Sequence, residues 1–371
     1  MKYQHLERLR VALTVRGPLF IGSGEKLQSK EYILDARNHV VLVPSLPDMA
    51  EALMNSWRRG MSDDFIAFMM DSRQRRLSDF LTSHGIAIDP PPAWVKYSVN
   101  AQSDFTTMNT LHTFVRDADG AAYIPGSSIK GALRTALIAD RMDDRHKSAL
   151  WRELTANKKD RRASAVEEAL RVLPCAFKNE QLDRRNAVND LLRAVQISDS
   201  APFDADTLTV CRRHWLSSDG GERPSRAPIF MECLRPGAET SFYLTIDRAL
   251  WPKDEDPLDT LRRALTDWDA LCHQVHDRYF QQSLVWIDTA DGAPIVLGGG
   301  TGFQRKSLVY RARPYPEEAA QLAHEVLREQ FTRKNGATYK PPKTARTAPY
   351  MFKAASFEGR LYPMGVCVLK L

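Results

Sequence analysis

The order of strand and helix patterns in this 371-residue chain predicts an α+β fold. Leu9-Arg-Val-Ala-Leu-Thr-Val15 alternates with a period of two, as a half-buried strand does. Tyr123-Ile-Pro-Gly-Ser-Ser-Ile-Lys-Gly-Ala-Leu-Arg134 passes from a strand end through a Gly/Ser turn into a helix. Ile229–Leu234 and Thr240–Ile246 read as a hairpin across Arg235-Pro-Gly-Ala-Glu239. A helix follows over 257–281, and Gly365–Leu369 reads as a last strand. Strand, helix, hairpin, helix and strand in that order suit a ferredoxin-like (RRM-like) core with helical insertions and a second, C-terminal α+β part. A boundary near Pro202 divides the chain into residues 1–201 and 202–371, with the last strand returning to the first sheet.

The remaining elements follow from local pattern. After the opening strand, at about 7–16, a glycine loop leads to strands near 31–34 and 39–43 and a helix over about 46–58. One amphipathic helix is predicted over 63–84, with Arg73, Arg75 and Arg76 on its polar side, and Pro90-Pro-Pro92 closes that unit. Thr110–Arg116 and Ala121–Ile124 pair as a hairpin across Asp117-Ala-Asp-Gly120. Stretches rich in Lys, Arg, Glu and Ala over 143–169, and a further segment over 179–194, read as helices, and Val195–Asp199 as a strand. Glycines, serines and Pro224 mark residues 212–227 as a mobile loop. In the 257–281 helix the buried stripe is Leu258, Leu261, Leu265, Trp268, Leu271 and Val275, and a final long helix covers 316–331.

With 43% hydrophobic and 26% charged residues, the composition is that of an ordinary soluble globular protein. No apolar run is long enough to span a bilayer, and Met1-Lys-Tyr-Gln-His-Leu-Glu7 lacks the apolar core of a signal peptide, so a cytoplasmic setting is expected. The five cysteines are widely spaced and form no Cys-x-x-Cys pair, which fits reduced, structural thiols. A net charge of +6 admits a polyanionic partner. From Arg333 to Phe357 six cations (Arg333, Lys334, Lys340, Lys343, Arg346, Lys353) occur without an acid, interleaved with Tyr339, Tyr350, Phe352 and Phe357. Single-stranded RNA binders use that mixture. The alternative is a solvated basic loop whose aromatics fasten it to the core.

The 123–134 segment carries the clearest chemistry. Ser127 or Ser128 caps the predicted helix, Ile129, Leu133 and Ala136 form its buried side, and Lys130 and Arg134 lie on a neighbouring face. A helix N-terminus with free N–H groups, two hydroxyls and two cations is a place for a phosphate. Gly131 leaves room for a backbone to come close. Other phosphate motifs fail: Lys130 is followed by Gly131 and Ala132, so a P-loop would lack its Mg²⁺ hydroxyl. Neither Gly22-Ser-Gly24 nor Gly298-Gly-Gly-Thr-Gly302 continues as a dinucleotide fingerprint.

Phe114-Val-Arg-Asp117 together with Tyr123–Arg134 resembles the RAMP superfamily, the RNA-binding subunits of CRISPR effector complexes. Leu9–Val15 followed by Gly17-Pro-Leu-Phe-Ile-Gly-Ser-Gly-Glu25 is similar to the family's opening strand and glycine turn. Ile295-Val-Leu-Gly-Gly-Gly-Thr-Gly-Phe-Gln-Arg-Lys-Ser307 is similar to its glycine-rich loop and trailing basic residues. Their order, with the C-terminal strand, most resembles the type III-A (Csm) subunit at the crRNA 3′ end. The resemblance implies a non-catalytic RNA-binding subunit with no cofactor and no metal. Its implied partners are crRNA, the adjacent backbone subunit, target RNA and host nucleases, with no membrane. It implies sugar-phosphate contacts from Ser23, Gly24, Lys26, Gly126, Ser127, Ser128, Lys130, Arg134, Gly298, Gly299, Gly300, Gly302, Phe303, Arg305 and Lys306. In that reading the turns at 22–24, 127–130 and 298–306 meet in one cradle.

Two rivals belong to the same family: the equivalent subunit of a type III-B complex, and a metal-independent endoribonuclease that processes CRISPR transcripts. The second needs a base for the 2′-hydroxyl and an acid for the leaving oxygen, and His112 is the candidate. Asp104 and Asp117 are loop acids with no assigned part. His273 and His276 lie i, i+3 beside Cys272 and Asp277 but lack a second ligand pair, and His324-Glu325 does not continue as a zincin motif.

Overall fold

The computed structural model describes residues 5–55, 60–73, 75–101, 108–156, 190–218, 221–222, 228–313, 315–333, 336–337 and 339–371. Of the helices predicted over 143–169 and 179–194, the parts at 157–169 and 179–189 lie outside them, as do Asp104 and Cys175. The strands are β1 (Leu6–Val15), β2 (Gly22–Gln28), β3 (Ile33–Asp35), β4 (Val40–Pro44), β5 (Val95–Ala101), β6 (Thr110–Phe114), β7 (Val195–Ile197) and β8 (Leu208–Ser217). They continue as β9 (Ile229–Leu234), β10 (Glu239–Asp247), β11 (Ala293–Val296), β12 (Thr332–Arg333), β13 (Gly336–Ala337), β14 (Met351–Phe357), β15 (Arg360–Pro363) and β16 (Val366–Lys370). The longer helices are α1 (Leu46–Met54), α2 (Met61–Met70), α3 (Leu77–Ser83), α4 (Gly126–Arg141), α5 (Asp144–Thr155), α6 (Pro257–Val275) and α7 (Pro316–Gln330).

One sheet has the order β11-β16-β1-β10-β7, with every neighbour antiparallel. Within it, β1 and β7 run parallel on either side of β10 and are joined through α4. Strands β10 and β16 run parallel on either side of β1 and are joined through α6. These two split βαβ units are the ferredoxin-like arrangement, with β11 as an added edge. The helices cover one face only: Ile129, Leu133, Ala136 and Leu137 of α4 and Leu261, Ala264, Leu265 and Trp268 of α6 share a core with Val11, Leu13 and Val15. Asp256 accepts from the N–H groups of Leu258 and Asp259, and Pro257 fills the first helical position of α6.

The second, larger sheet follows the path β2-β6-β9-β8-β5-β4-β3, with β14 beside the later half of β8 and β15 beyond it. Helices α1–α3 close its β3–β4 end over a separate apolar cluster that includes Ile33, Leu42, Met49, Phe65, Phe68, Phe80 and Trp94. Each sheet takes strands from both sides of residue 201.

Four expectations need correction. Strands β9 and β10 are not a hairpin; they lie in different sheets, and residues 235–238 cross between them. The crossing is tied down by Arg235 N–H to Thr207 O and Gly237 N–H to Val15 O. Residues 121–124 touch the β6 side through a single bridge, Arg116 to Ala122, because Ser200 and Phe203 take up the Ile124 and Ala122 carbonyls. The helix expected over 63–84 is broken: Arg73 and Arg75 sit in the α2–α3 connection, paired with Asp71. Residues 212–217 are the second half of β8, so the loop expected there begins later.

Candidate nucleic-acid interface

The glycine-rich loop is shaped by the chain around it. Gly299 N–H donates to Phe20 O at 2.7 Å, Leu297 N–H to Gly365 O and Gly365 N–H to Pro18 O, both at 2.9 Å. The turns at 17–22, 297–302 and 363–365 thus form one clasp. A Cβ on Gly298 (φ +61°) would fall 2.1 Å from Phe20 O, and one on Gly300 would fall 1.9 Å from Met364 O. These glycines are required by close approach of neighbouring main chain.

Beside the clasp, register places five residues on one face of the larger sheet. Lys26 opposes His112, His112 pairs with Met231 and Met231 with Cys211. Two and four residues further along β8, Arg213 opposes Ala355 and Trp215 opposes Lys353. Paired residues share a face, so Lys26, His112, Arg213, Trp215 and Lys353 point the same way. Phe20, Met231, Cys211, Ala355, Phe357 and Met364 form the apolar ground beside them, and Phe20 meets His112 edge-on at 6.3 Å.

This group is electrostatically incomplete. Arg213 lies 5.0 Å above the Trp215 ring and Lys353 6.0 Å from it. Lys353 Nζ donates to Gly299 O at 3.1 Å, which joins the cations to the loop. Burial, then Arg213 and Lys306, pushes the Lys353 ammonium below its ordinary pKa. Burial also lowers Arg213, and burial with Lys26 and Arg213 lowers His112. Among the described residues no carboxylate forms an ion pair with Lys26, Arg213, Lys306 or Lys353. Among the described residues the buried Nε of Arg213 meets no hydrogen-bond acceptor. Like charges packed together with an unmet donor are stabilised by an anion.

The predicted residues divide into three groups. Ser23, Gly24, Lys26, the 298–302 glycines and Lys306 adjoin this face or its clasp; Ser23 Oγ is bonded to Thr113 Oγ1 at 2.6 Å and Lys306 is exposed. A second group belongs to α4. No side chain of its own caps that helix: Pro125 holds the N-cap position, and Gly126 N–H donates to Asp199 Oδ1 at 2.7 Å. A Cβ on Gly126 would fall 2.5 Å from Ile197 O. Lys130 Nζ donates to Val195 O at 2.7 Å, and burial lowers its pKa. Arg134 pairs with Asp190, a partner the sequence reading did not name. Ser127 and Gly131 are exposed, Ser128 is half-buried, and a Cβ on Gly131 meets nothing. The third group serves the core. Arg305 donates to Asp269 at 2.7 Å and also pairs with Asp277. Phe303 packs against the main core, and the 303–306 turn lies beside α4.

Arg213 and Trp215 were missed because the segment reads as a loop. No period-two alternation marks it: Arg212, Arg213 and His214 interrupt the apolar and β-branched run Leu208–Cys211, so the second half of the strand carries no local signal. Most aromatics of the basic 333–357 run do fasten it to the core: Tyr339 and Tyr350 pack together, Phe352 packs on Phe280, and Phe357 meets Tyr362. His276 is fully buried and bonded to Asp277 and Pro349 O, and no metal-binding cluster occurs among the described residues. Nor is any described helix long and apolar enough to cross a membrane.

Comparison with known proteins gives a consistent picture. The chain is 25% identical to "CRISPR system Cms protein Csm5" of Mycobacterium tuberculosis across 99% of this chain and 98% of that one. It is 24% identical to the protein of that name from Enterococcus italicus, across 97% and 96%. Among solved structures, a chain of the "Csm-crRNA-target RNA ternary complex in type III-A CRISPR-Cas system" matches with TM-score 0.68 and 19% identity, covering 97% of this chain and 99% of that one. The crystal structure of T. onnurineus Csm5 matches with TM-score 0.60 and 18% identity, covering 96% and 99%. The RAMP superfamily model matches residues 12–338, and the chain belongs to the RAMP superfamily.

Proposed function

We propose that this chain is the subunit of a type III-A Csm effector complex that binds the 3′ region of crRNA. It caps the backbone filament against the adjacent subunit and supports crRNA 3′-end maturation, for which nucleases come from outside. The observation that carries the reading is the unpaired cation group, with its unmet Arg213 Nε, beside the glycine clasp. Lys26, Arg213, Lys306 and Lys353 grip phosphate, Trp215 offers a stacking surface, and α4 adds Ser127, Ser128 and Lys130. Grip on the backbone rather than on base edges makes binding sequence-tolerant. The Csm5 relatives, and a structural neighbour that belongs to a Csm-crRNA-target RNA complex, support the same reading.

The test is single-stranded RNA affinity across a salt series for Lys306→Ala with Lys353→Ala. Two lost phosphate contacts reduce the slope of log K against log salt by about 1.4, at about 0.7 each. Unchanged affinity and slope refute the site. One observation favours the endoribonuclease as a second reading: His112 sits among these cations and is biased toward its neutral, basic form. Repeat-containing RNA incubated in EDTA decides it, because cuts that vanish in His112→Ala require an enzyme.

A further inference from the structure

The helix-free face of the five-stranded sheet carries its own pattern. On the two central strands Arg8 opposes Thr245, Arg10 opposes Tyr243 and Ala12 opposes Ser241. Lys370 of β16 extends the Ala12 row, and Gln196 of β7 extends the Thr245 row. Arg8, Arg10, Ala12, Gln196 and Lys370 are exposed, and Tyr243 is 43% exposed although strand aromatics are usually buried. The Arg8 guanidinium lies 3.8 Å over the Tyr243 ring, and Arg10 Nε donates to Ser241 Oγ at 2.9 Å. Among the described residues none of the three cations has a carboxylate partner. The acids of this face stand at its two ends and are engaged: Glu239 accepts from Thr14, and Asp247 meets His5 and the Ala249 N–H.

We infer that this face is a second binding surface for single-stranded RNA, with Tyr243 and the Arg8 guanidinium as the stacking platform and Arg10 and Lys370 as phosphate contacts. A protein-docking core is apolar and depleted of charge, whereas here cations and hydroxyls surround one ring. Bases stack on aromatic rings and on guanidinium planes alike. From β7 to β16 the face spans three interstrand spacings, about 14 Å, enough for two or three stacked nucleotides. The surface is distinct from the sheet that carries Arg213 and Lys353, so the two readings stand or fall separately.

The experiment uses the full chain and a fluorescent 12-nucleotide single-stranded RNA, with Tyr243→Ala, Tyr243→Phe and Arg10→Ala made in wild type and in Arg213→Ala/Lys353→Ala. Tyr243→Ala weakens binding roughly 5- to 100-fold in both backgrounds, by loss of one stacked base, and leaves the salt slope unchanged. Tyr243→Phe retains affinity, and Arg10→Ala reduces the slope by about 0.7. Photo-crosslinking with 4-thiouridine RNA places label on the peptide containing Tyr243. Unchanged affinity with no crosslink on β1 or β10 overturns the inference. So does a Tyr243→Ala protein that binds RNA normally but no longer co-purifies with its complex, since the face then serves a protein. Loss of binding in Arg213→Ala/Lys353→Ala with no effect of Tyr243→Ala upholds the first site and removes this one.

Discussion

Replacing Arg213 by methionine should move stability and RNA affinity in opposite directions. The guanidinium is partly buried, its Nε–H donates to no acceptor among the described residues, and it shares its surroundings with Lys353 and His112. Methionine keeps an unbranched stem over Trp215 and removes the unmet donor. Leaving such a group unsatisfied costs about 1–3 kcal/mol. With an unfolding entropy of about 2.1 cal/mol/K per residue over 371 residues, relief of that cost raises Tm by about 1–4 °C. The same change deletes one charge-assisted phosphate contact, about 1.5–3 kcal/mol, so affinity falls roughly 10- to 150-fold and the salt slope drops by about 0.7. Thermal melting and fluorescence anisotropy against single-stranded RNA read both quantities, and Arg213→Lys should retain part of the affinity. A Tm that falls by several degrees would mean the guanidinium has an internal role, and the reasoning would fail.

Arg305→Met should behave otherwise, since it strips Asp269 and Asp277 of a buried partner: stability falls by about 3–5 kcal/mol, read by urea unfolding. Burial opposes ionisation of Asp277, but Arg305 and His276 overcome it and hold the carboxyl well below its usual range. That stabilisation is present above the unfolded carboxylate value, about 3.9, and is lost as pH falls toward the folded one, so the variant should unfold at higher pH in an acid titration. Gly300→Ala should open the clasp and lower Tm, at about 1–3 kcal/mol, whereas Gly131→Ala should be neutral or stabilising by up to about 1 kcal/mol; calorimetry of the pair separates glycines held by the fold from one that is free. Phosphate bound among Lys26, His112 and Arg213 should raise the His112 pKa from its lowered value. Binding then takes up a proton, so affinity should grow as pH falls through the bound-state value and level off below the free-state one, and His112→Gln should flatten that dependence.

Elements with a strong period were legible from the residues alone. The stripe of α6, the alternation in β1 and the proline-led start of α7 recur in the structure because each buries one continuous face. Pairing was less legible. Strands β9 and β10 carry a hairpin's turn chemistry, yet tertiary partners, β8 and β6 for one and β1 and β7 for the other, outcompete the local pairing. For the candidate site, the glycine turns were readable as turns. Their cause, main chain meeting main chain across hundreds of residues, is not a local property. Arg213 and Lys353 join only through the β8–β14 register, which no window of sequence contains.

Because β1 is flanked by β10 and by β16, the first long strand of the molecule finds one of its two partners only within the final residues described. During synthesis β1 therefore waits with an open edge until Val366–Lys370 has emerged. Contacts of such long sequence separation form slowly, and the exposed strand is a hazard for mispairing in the meantime. A chain truncated before Val366 should therefore be recovered mainly as aggregate, whatever else it retains.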